Sequence, residues 1–370
     1  MRYAFAASAI LGAVAAAPQM INVEAALAVP TPTVLGPAID ATKPASVSYN
    51  PTAAASAVAE VVKSDGVIDK RDTPSACGDA LPGGNGPLPA SGSADSDYTA
   101  SGSSLRLIAQ QATTPSGYDQ SFVDQLGSSQ QIGYLTYKNL DSYNPQACAD
   151  ACDSEKYCLG FNIYFERDPK FDPKVGCANP QAVTNVKCSL YGYNVAKAAA
   201  TNQGQWRGPE DSNGQAFHVV ITGSNGYSKQ SQTLPNVPDF NPPTSLPAAI
   251  NAPLDASDNS YDTYTGMRLF NDNPYDPSLC AAACEAQTTY DVNHPAQDGS
   301  YKTCNFFNSY VLTKNDVPLG TYCSFYTRAW DATYAVNTGY YYGDDVYSVR
   351  NSASYVITTA IPKKGPTVTP

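Results

Sequence analysis

A repeated pattern of cysteines constrains the fold more than any other feature of this 370-residue sequence. In residues 144–222 and again in residues 276–358, two cysteines stand four residues apart just after a proline, and a third opens the motif Cys-x-x-Phe-Asn-x-Tyr. A fourth opens a Cys-Ser-Leu/Phe-Tyr motif. The match is too long to arise by chance, so it predicts an internal duplication. The repeated residues are Cys148, Cys152, Cys158 and Cys188 in the first copy and Cys280, Cys284, Cys304 and Cys323 in the second.

Two further segments recur in both copies. Residues 202–208 and 337–343 both read Asn-x-Gly-x-aromatic-x-Gly, with Trp206 and Tyr341 at the aromatic position. Each copy then closes on an apolar strand, which we place at residues 217–222 and 354–358. The duplication therefore covers the whole length of each unit.

Each copy is predicted to combine one helix with an antiparallel sheet. Asn144 and Asp276 are good N-cap residues, and each is followed by a proline, which the first helical position tolerates. A spacing of four residues then places both helical cysteines of a copy on one face of the helix. The aromatic-rich segments after the third and fourth cysteines are typical of strands. These features together predict an α+β fold class.

The ten cysteines predict five disulfides, because an even number in an oxidising compartment favours bridges over metal or redox sites. Each set of four allows three pairings, and the helix-to-sheet geometry favours a nested one. Cys77 and Cys177 lie outside the repeat and are expected to pair with each other, or alternatively to form an intermolecular bond. The predicted bridges are Cys148–Cys188, Cys152–Cys158, Cys280–Cys323, Cys284–Cys304 and Cys77–Cys177.

The helix with Cys-x3-Cys, followed by Cys-x-x-Phe and Cys-x-Leu/Phe-Tyr strands, resembles the PAN/apple family. The resemblance covers residues 118–224 and 261–362, and the second copy departs from it by an insertion between Cys284 and Cys304. It implies two disulfide-stapled modules, each a curved antiparallel sheet with one packed helix. It also implies binding of proteins or carbohydrates without catalysis. The order of segments is similar to that of proteins secreted by filamentous fungi.

The remaining segments organise the chain around these modules. Residues 1–17 have the basic start and apolar run of a secretory signal, and Lys70-Arg71 has the form of a dibasic processing site. Residues 18–71, called the leader below, are expected to be a disordered propeptide outside the fold. The other predicted segments are a Gly/Pro/Ser-rich arm at 72–117, a Pro-rich linker at 225–260 and a tail at 363–370.

The charge and hydropathy of the chain limit its partners. Residues 1–71 have five basic and five acidic side chains, so residues 72–370 keep the net charge of −11. A surface of that sign disfavours nucleic acid, and no later apolar run is long enough for a membrane span. We therefore expect a secreted or wall-associated monomer without a cofactor, whose partner is a glycan or a glycoprotein.

The two copies differ at a group of tyrosines that could bind this partner. Alternation along a strand turns Tyr340 and Tyr342 away from Tyr341, toward Tyr347. Exposed rings of this kind stack on sugars or anchor proteins, so these three tyrosines are the predicted ligand site. Packing beneath the linker or against the other module is the alternative. Trp206 and Tyr341 occur in both copies and are therefore expected to serve the scaffold.

Catalytic and metal sites have weaker support. Glu166 and Asp168 could form the carboxylate pair of a glycosidase, and His218 could belong to a Ser/His/Asp triad, but surface ion pairing and a structural strand are the simpler interpretations. The second histidine, His294, has no counterpart in the first copy, so the sequence predicts no zinc site. It also predicts no catalytic residue. The favoured function is non-catalytic binding at the fungal wall. A secreted effector and a carbohydrate-active enzyme are the alternatives.

Overall fold

A computed structural model of the chain describes residues 21–37 and 77–364. The predicted signal peptide, the Lys70-Arg71 pair and the last six residues of the tail lie outside the described residues.

The first copy folds into a six-stranded antiparallel sheet, called the first sheet. Strand β8 is central and pairs with β1, β4 and β7, while β5 and β3 extend the sheet from β4. A separate two-stranded ribbon joins β2 to β6. The strands are β1 (Tyr118–Gln125), β2 (Ser128–Ser129), β3 (Tyr134–Leu140), β4 (Gly160–Pro169), β5 (Ala182–Tyr191), β6 (Ala200–Asn202), β7 (Gly204–Arg207) and β8 (Phe217–Lys229).

The second copy repeats this arrangement in a second six-stranded antiparallel sheet. Strand β14 takes the place of β8 and pairs with β9, β11 and β13, while β12 and β10 extend the sheet from β11. The strands are β9 (Thr244–Ser245), β10 (Tyr264–Phe270), β11 (Phe306–Lys314), β12 (Val317–Tyr326), β13 (Gly339–Tyr342) and β14 (Asp345–Val356). The antiparallel α+β class is confirmed.

The helices of the described residues are few and mostly short. In the two cysteine helices, the Asn144 side chain accepts hydrogen bonds from the backbone N–H groups of Gln146 and Ala147, and the Asp276 side chain accepts one from Ser278. Both predicted N-caps are therefore confirmed. The helices are α1 (Val23–Leu27), α2 (Asp95–Thr99), α3 (Ser104–Gln110), α4 (Pro145–Ser154) and α5 (Pro277–Asn293), with 3-10 turns at Lys197–Ala199 and Ala332–Tyr334.

All five predicted disulfides are present and no cysteine is free. In each copy one bridge joins the helix to the strand that packs on it, and the other closes the loop after the helix. The fifth bridge, Cys77–Cys177, spans 100 residues and ties the arm to the first sheet. A bridge of this kind stabilises a fold by about 2–4 kcal/mol, chiefly because it restricts the unfolded chain.

A buried asparagine makes the same three hydrogen bonds in each sheet. Asn162 accepts a hydrogen bond from the Ser129 backbone and donates to the Ser224 hydroxyl and the Asn225 carbonyl. Asn308 repeats all three contacts, with Ile250, Ser352 and Ala353 as partners. The Phe-Asn motif of the repeat is therefore structural.

These contacts also correct the alignment of the closing strands. Ser224 corresponds to Ser352, so residues 217–222 begin β8, whereas residues 354–358 lie at and beyond the end of β14. The apolar segments lie at opposite ends of equivalent strands, because the loop from 208 to 216 is longer than the turn at Gly343. The first sheet continues to Lys229, five residues past the expected module boundary.

Three segments outside the predicted modules also belong to the fold. The arm forms α2 and α3, which bury Tyr98 and Leu105 against the first sheet. The predicted linker crosses the second sheet and buries Phe240 and Ile250. Residues 21–30 of the leader, expected to be disordered, pack against the second sheet, and the Leu35 carbonyl then accepts a hydrogen bond from the Gln131 N–H of the first copy. The sequence did not indicate this because an Ala/Val/Pro-rich composition is typical of both spacers and short apolar covers.

The two sheets pack against each other. The Tyr193 hydroxyl donates to the Asn273 carbonyl at 2.9 Å, and the Tyr275 N–H donates to the Gly192 carbonyl at 3.1 Å. Any side chain at Gly192 would collide with Pro274, since an added Cβ would lie 2.1 Å from the proline Cβ. The orientation of the two sheets is thus fixed by direct contact.

Candidate functional site

The repeated Asn-x-Gly-x-aromatic-x-Gly block forms the edge strands β7 and β13, and its asparagine and first glycine explain its recurrence. Gly204 and Gly339 have φ angles of 109° and 118°. A Cβ at either position would lie about 2 Å from a carbonyl oxygen of the partner strand. Asn202 and Asn337 each accept a hydrogen bond from the glycine two residues later, at 3.1 Å. These four residues form the repeated scaffold.

The aromatic residue of the block has a different environment. Trp206 is 58% exposed and Tyr341 is 76% exposed, so the expectation that both serve the scaffold is wrong. Each ring lies on the solvent side of an edge strand. Gln205, Arg207 and Tyr340 beside them are half-buried, whereas Tyr342 is also exposed. The two sheets therefore display an exposed aromatic ring at equivalent positions.

The Trp206 ring is held in place although it is exposed. It stacks on the His218 ring of β8, with centroids 4.2 Å apart and planes 15° apart. His218 Nδ1 lies 2.7 Å from an Asp95 carboxylate oxygen, and the other oxygen of Asp95 forms an ion pair with Arg167 at 3.1 Å. Because the arm supplies Asp95, the arm orients the histidine and, through it, the tryptophan. The geometry assigns His218 to this support.

The three predicted ligand tyrosines come together on the second sheet. The centroids of Tyr340 and Tyr342 lie 6.4 and 6.3 Å from that of Tyr347. Tyr347 is only 1% exposed, and the Tyr340 hydroxyl donates to the Ile21 carbonyl at 2.6 Å. Tyr342 is 43% exposed and donates to the Glu24 carboxylate at 3.2 Å. The leader therefore occupies this surface, and its ligand role stays a prediction.

The carboxylates Glu166 and Asp168 lie on the first sheet beside a buried lysine. Lys187 forms an ion pair with Glu166, and the Asn185 amide donates to Asp168 at 2.6 Å. Burial, and then the charge of Glu166, raise the pKa of Asp168 well above its ordinary value. Burial lowers the pKa of Lys187, but the two carboxylates outweigh it and the net shift is upward. The group therefore combines a buried ion pair with a carboxyl group whose burial favours its protonated form.

The surroundings of this cluster leave no room for a substrate. Leu81 and Pro82 of the arm cross over it, and the cavity that remains measures 10 Å³, about the volume that one water molecule needs. The arm is tied down there by Cys77–Cys177. Ion pairing does occur here, but Glu166 and Lys187 are buried in strands, so the expected surface position of the pair is wrong.

Comparison of the chain with known families, curated proteins and solved structures found no match. The assignment of the site consequently depends on its geometry. Among residues 21–37 and 77–364, no three His, Cys, Asp or Glu side chains are grouped closely enough to hold a metal ion. Over the same residues no helix has the length and apolar character needed to cross a membrane.

Sequence reasoning missed two features of the site. It did not place Asp95 and His218 behind Trp206, because the arm and β8 are far apart in the chain. It did not recognise the contact between the leader and Tyr340 for the same reason. One signal was available: the Asn and Gly of the repeated block already account for its turn, which leaves its aromatic residue free for another role.

Proposed function

We propose that the protein is a secreted, non-catalytic binding protein that recognises carbohydrate or glycoprotein at a cell wall through the exposed rings of Trp206 and Tyr341. In this proposal each sheet with its helix and nested bridges is a PAN/apple-like module. The five disulfides are consistent with an extracellular protein.

The observation that carries the proposal is the immobilised Trp206 ring. An indole that is 58% exposed yet stacked on His218 loses little conformational entropy when a ligand covers it. The flat face of such a ring suits the apolar face of a sugar. Tyr341 offers a second ring at the equivalent position of the second sheet, so one polysaccharide chain that reaches both would bind with avidity.

The test is retention on insoluble chitin, β-glucan and whole fungal walls, using the oxidised chain. We expect Trp206→Ala to abolish most retention on one of these materials and Tyr341→Ala to reduce it less. Tyr290→Ala is the matched control, because Tyr290 is 59% exposed and stacks on His294 but lies on α5. It should bind as the unaltered chain does.

Two results would reject the proposal. If no material retains the chain, glycan recognition is wrong and a protein partner should be sought by crosslinking. If Tyr290→Ala and Trp206→Ala lower retention equally, binding depends on general surface aromaticity and the two edge strands have no special role.

A further inference from the structure

The second sheet has a face turned away from α5, called the far face, whose composition differs from that of the first sheet. Leu312 stands where the first sheet has Glu166, four residues after the buried asparagine of the repeat. Tyr322 likewise stands where the first sheet has Lys187, just before the cysteine. The ion pair of the first sheet is thus replaced by apolar and aromatic surface. Its buried members are Leu269, Tyr310, Leu312, Tyr322 and Tyr347.

The leader covers this face with a short apolar segment. Ile21, Val23 and Ala26 are all buried among the residues of the far face, and α1 begins at Val23, so a short helical turn follows the first two residues of the segment. Only 2–4% of each of these three side chains is exposed. Packing of this kind matches the apolar anchors by which short peptides enter a groove.

Hydrogen bonds with two tyrosines and one asparagine fix the position of the segment. The Tyr340 hydroxyl donates to the Ile21 carbonyl, and the Asn22 N–H donates to the Tyr322 hydroxyl at 3.0 Å. These two bonds are made to the main chain of the occupant, whereas the buried residues of the far face contact its side chains. Further along, the Asn271 amide donates to the Pro30 carbonyl at 2.7 Å. The face is therefore equipped to bind a peptide backbone.

No disulfide holds this cover, and a cut at Lys70-Arg71 would separate it from residues 72–370. While attached, the leader benefits from a high effective concentration, of about millimolar order for a flexible tether. Once cut, it would be held by its noncovalent contacts alone, so we expect it to dissociate on dilution. Its departure would expose a contiguous apolar surface, which on soluble proteins marks an interaction site.

We propose that the far face of the second sheet is a peptide-binding site, that residues 21–30 are its intramolecular occupant, and that cleavage of the leader opens it. The ligand is a peptide with apolar side chains at its first, third and sixth positions, in the pattern of Ile21, Val23 and Ala26, with the last two in a helical turn. This site is separate from Trp206 and Tyr341 and does not depend on the glycan proposal.

The test uses a fluorescent synthetic peptide of residues 21–37 and the oxidised chain of residues 18–370, before and after cleavage at Arg71 and dialysis. Fluorescence anisotropy should show binding to the cut protein and at least tenfold weaker binding to the uncut one. A peptide with Val23→Asp should bind at least tenfold less tightly, because it would bury a charge.

Variants of the protein locate the site. Tyr340→Phe should weaken peptide binding by about threefold to tenfold, the value of one hydrogen bond. Tyr290→Phe, which removes a hydroxyl from α5 instead, should bind the peptide normally. An uncut chain carrying Val23→Asp and Ala26→Asp in its own leader should accept the unaltered peptide in trans, which tests the site even if cleavage unfolds the protein.

Three outcomes would overturn the proposal. The first is that the cut protein and the uncut leader variant both fail to take up the peptide while remaining folded. The second is that the Val23→Asp peptide binds as well as the unaltered one. The third is that the cut protein takes up no peptide and sediments as a dimer, which would assign the far face to a second copy of the chain.

Discussion

The two sheets have the same strand arrangement, but their far faces are covered in different ways. In the first sheet the far face is the one turned away from α4. In the first sheet the face carries the Glu166–Lys187 ion pair, and the arm that crosses it is joined to the sheet by Cys77–Cys177. In the second sheet the face is apolar, and residues 21–30 cover it without a disulfide to the sheet. The duplication thus produced one face that is permanently closed and one whose cover is removable.

The comparison separates scaffold from function within the repeat. The disulfides, the helix caps and the Asn162 and Asn308 networks are the same in both copies, so they build the fold. The far faces differ in the segments that cover them, and the exposed rings of Trp206 and Tyr341 on the edge strands differ in the residues that they contact. Divergence on a shared scaffold is where separate binding roles are expected to lie.

The largest expected effect comes from removing the cation of the closed face. Lys187→Ala would leave Glu166 buried without its partner, so we expect the free energy of unfolding to fall by about 3–5 kcal/mol. Installing the residues of the second sheet should cost much less, since apolar replacement of a buried pair is often neutral. The matched variant combines Glu166→Leu and Lys187→Tyr, the residues of the second sheet, with Asp168→Asn, which removes the remaining buried acid. Urea denaturation would compare them, and equal losses would contradict this account of the face.

The second-largest loss of stability is expected from removing the disulfide that joins the arm to the first sheet. Cys77→Ala with Cys177→Ala should lower the free energy of unfolding by about 2–4 kcal/mol, because the bridge closes the longest disulfide loop of the chain. It should also speed proteolysis of the arm near Leu81, while contacts of the leader with the second sheet persist. Thermal unfolding and limited proteolysis measure both. An arm that remains protected without the bridge would show that its noncovalent contacts suffice.

A smaller loss of stability tests whether the two asparagine networks are equivalent. Asn162→Ala and Asn308→Ala each remove three buried hydrogen bonds of the same kind, so each should cost about 1–3 kcal/mol. The two losses should agree closely in chemical denaturation. A loss at one position and none at the other would mean that one network is dispensable and the copies are not equivalent.

The smallest effect is the pH dependence that Asp168 gives to the closed face. Its raised pKa means that the folded chain keeps a proton that the unfolded chain releases. The contribution of Asp168 to stability is therefore present below the ordinary value of 3.8 and declines as the pH rises toward the raised pKa. Asp168→Asn should remove this decline, so the stability of the variant relative to the unaltered chain should rise from pH 4 to pH 8.

The control for this titration is the second sheet. Lys314 follows Leu312 by two residues, as Asp168 follows Glu166, and it is charged across this pH range in both states. Lys314→Gln should leave the slope of stability against pH unchanged between pH 4 and 8. An unchanged slope in Asp168→Asn as well would show that Asp168 is ionised in the folded chain.

The sequence predicted the parts of the fold that depend on local pattern. Proline after a capping residue, cysteines four residues apart and aromatic strands led to both cysteine helices, the main strands and the four bridges within the repeats. Cys77–Cys177 was predicted because these two cysteines remained outside the repeat. The coarse class was predictable because each copy supplied the same signals twice.

The sequence could not predict which segments cover the far faces. Ile21, Val23 and Ala26 form no periodic pattern that distinguishes a cover from a spacer, and their partners lie some 300 residues away, as the contact of Asn22 with Tyr322 shows. Trp206 was misjudged because recurrence was attributed to packing, whereas Asn202 and Gly204 already account for it. Long-range contacts of this kind are fixed by the tertiary structure.

Hydrogen exchange of the folded chain before and after cleavage at Arg71 and dialysis tests the removable cover most directly. We predict that backbone amides of β11, β12 and β14 near Leu312, Tyr322 and Tyr347 exchange at least tenfold faster once the leader has gone, because a covered face becomes exposed. Amides of β4 and β5 near Glu166 and Lys187 should not change. Unchanged exchange in the second sheet, or equal acceleration in both sheets, would contradict the account.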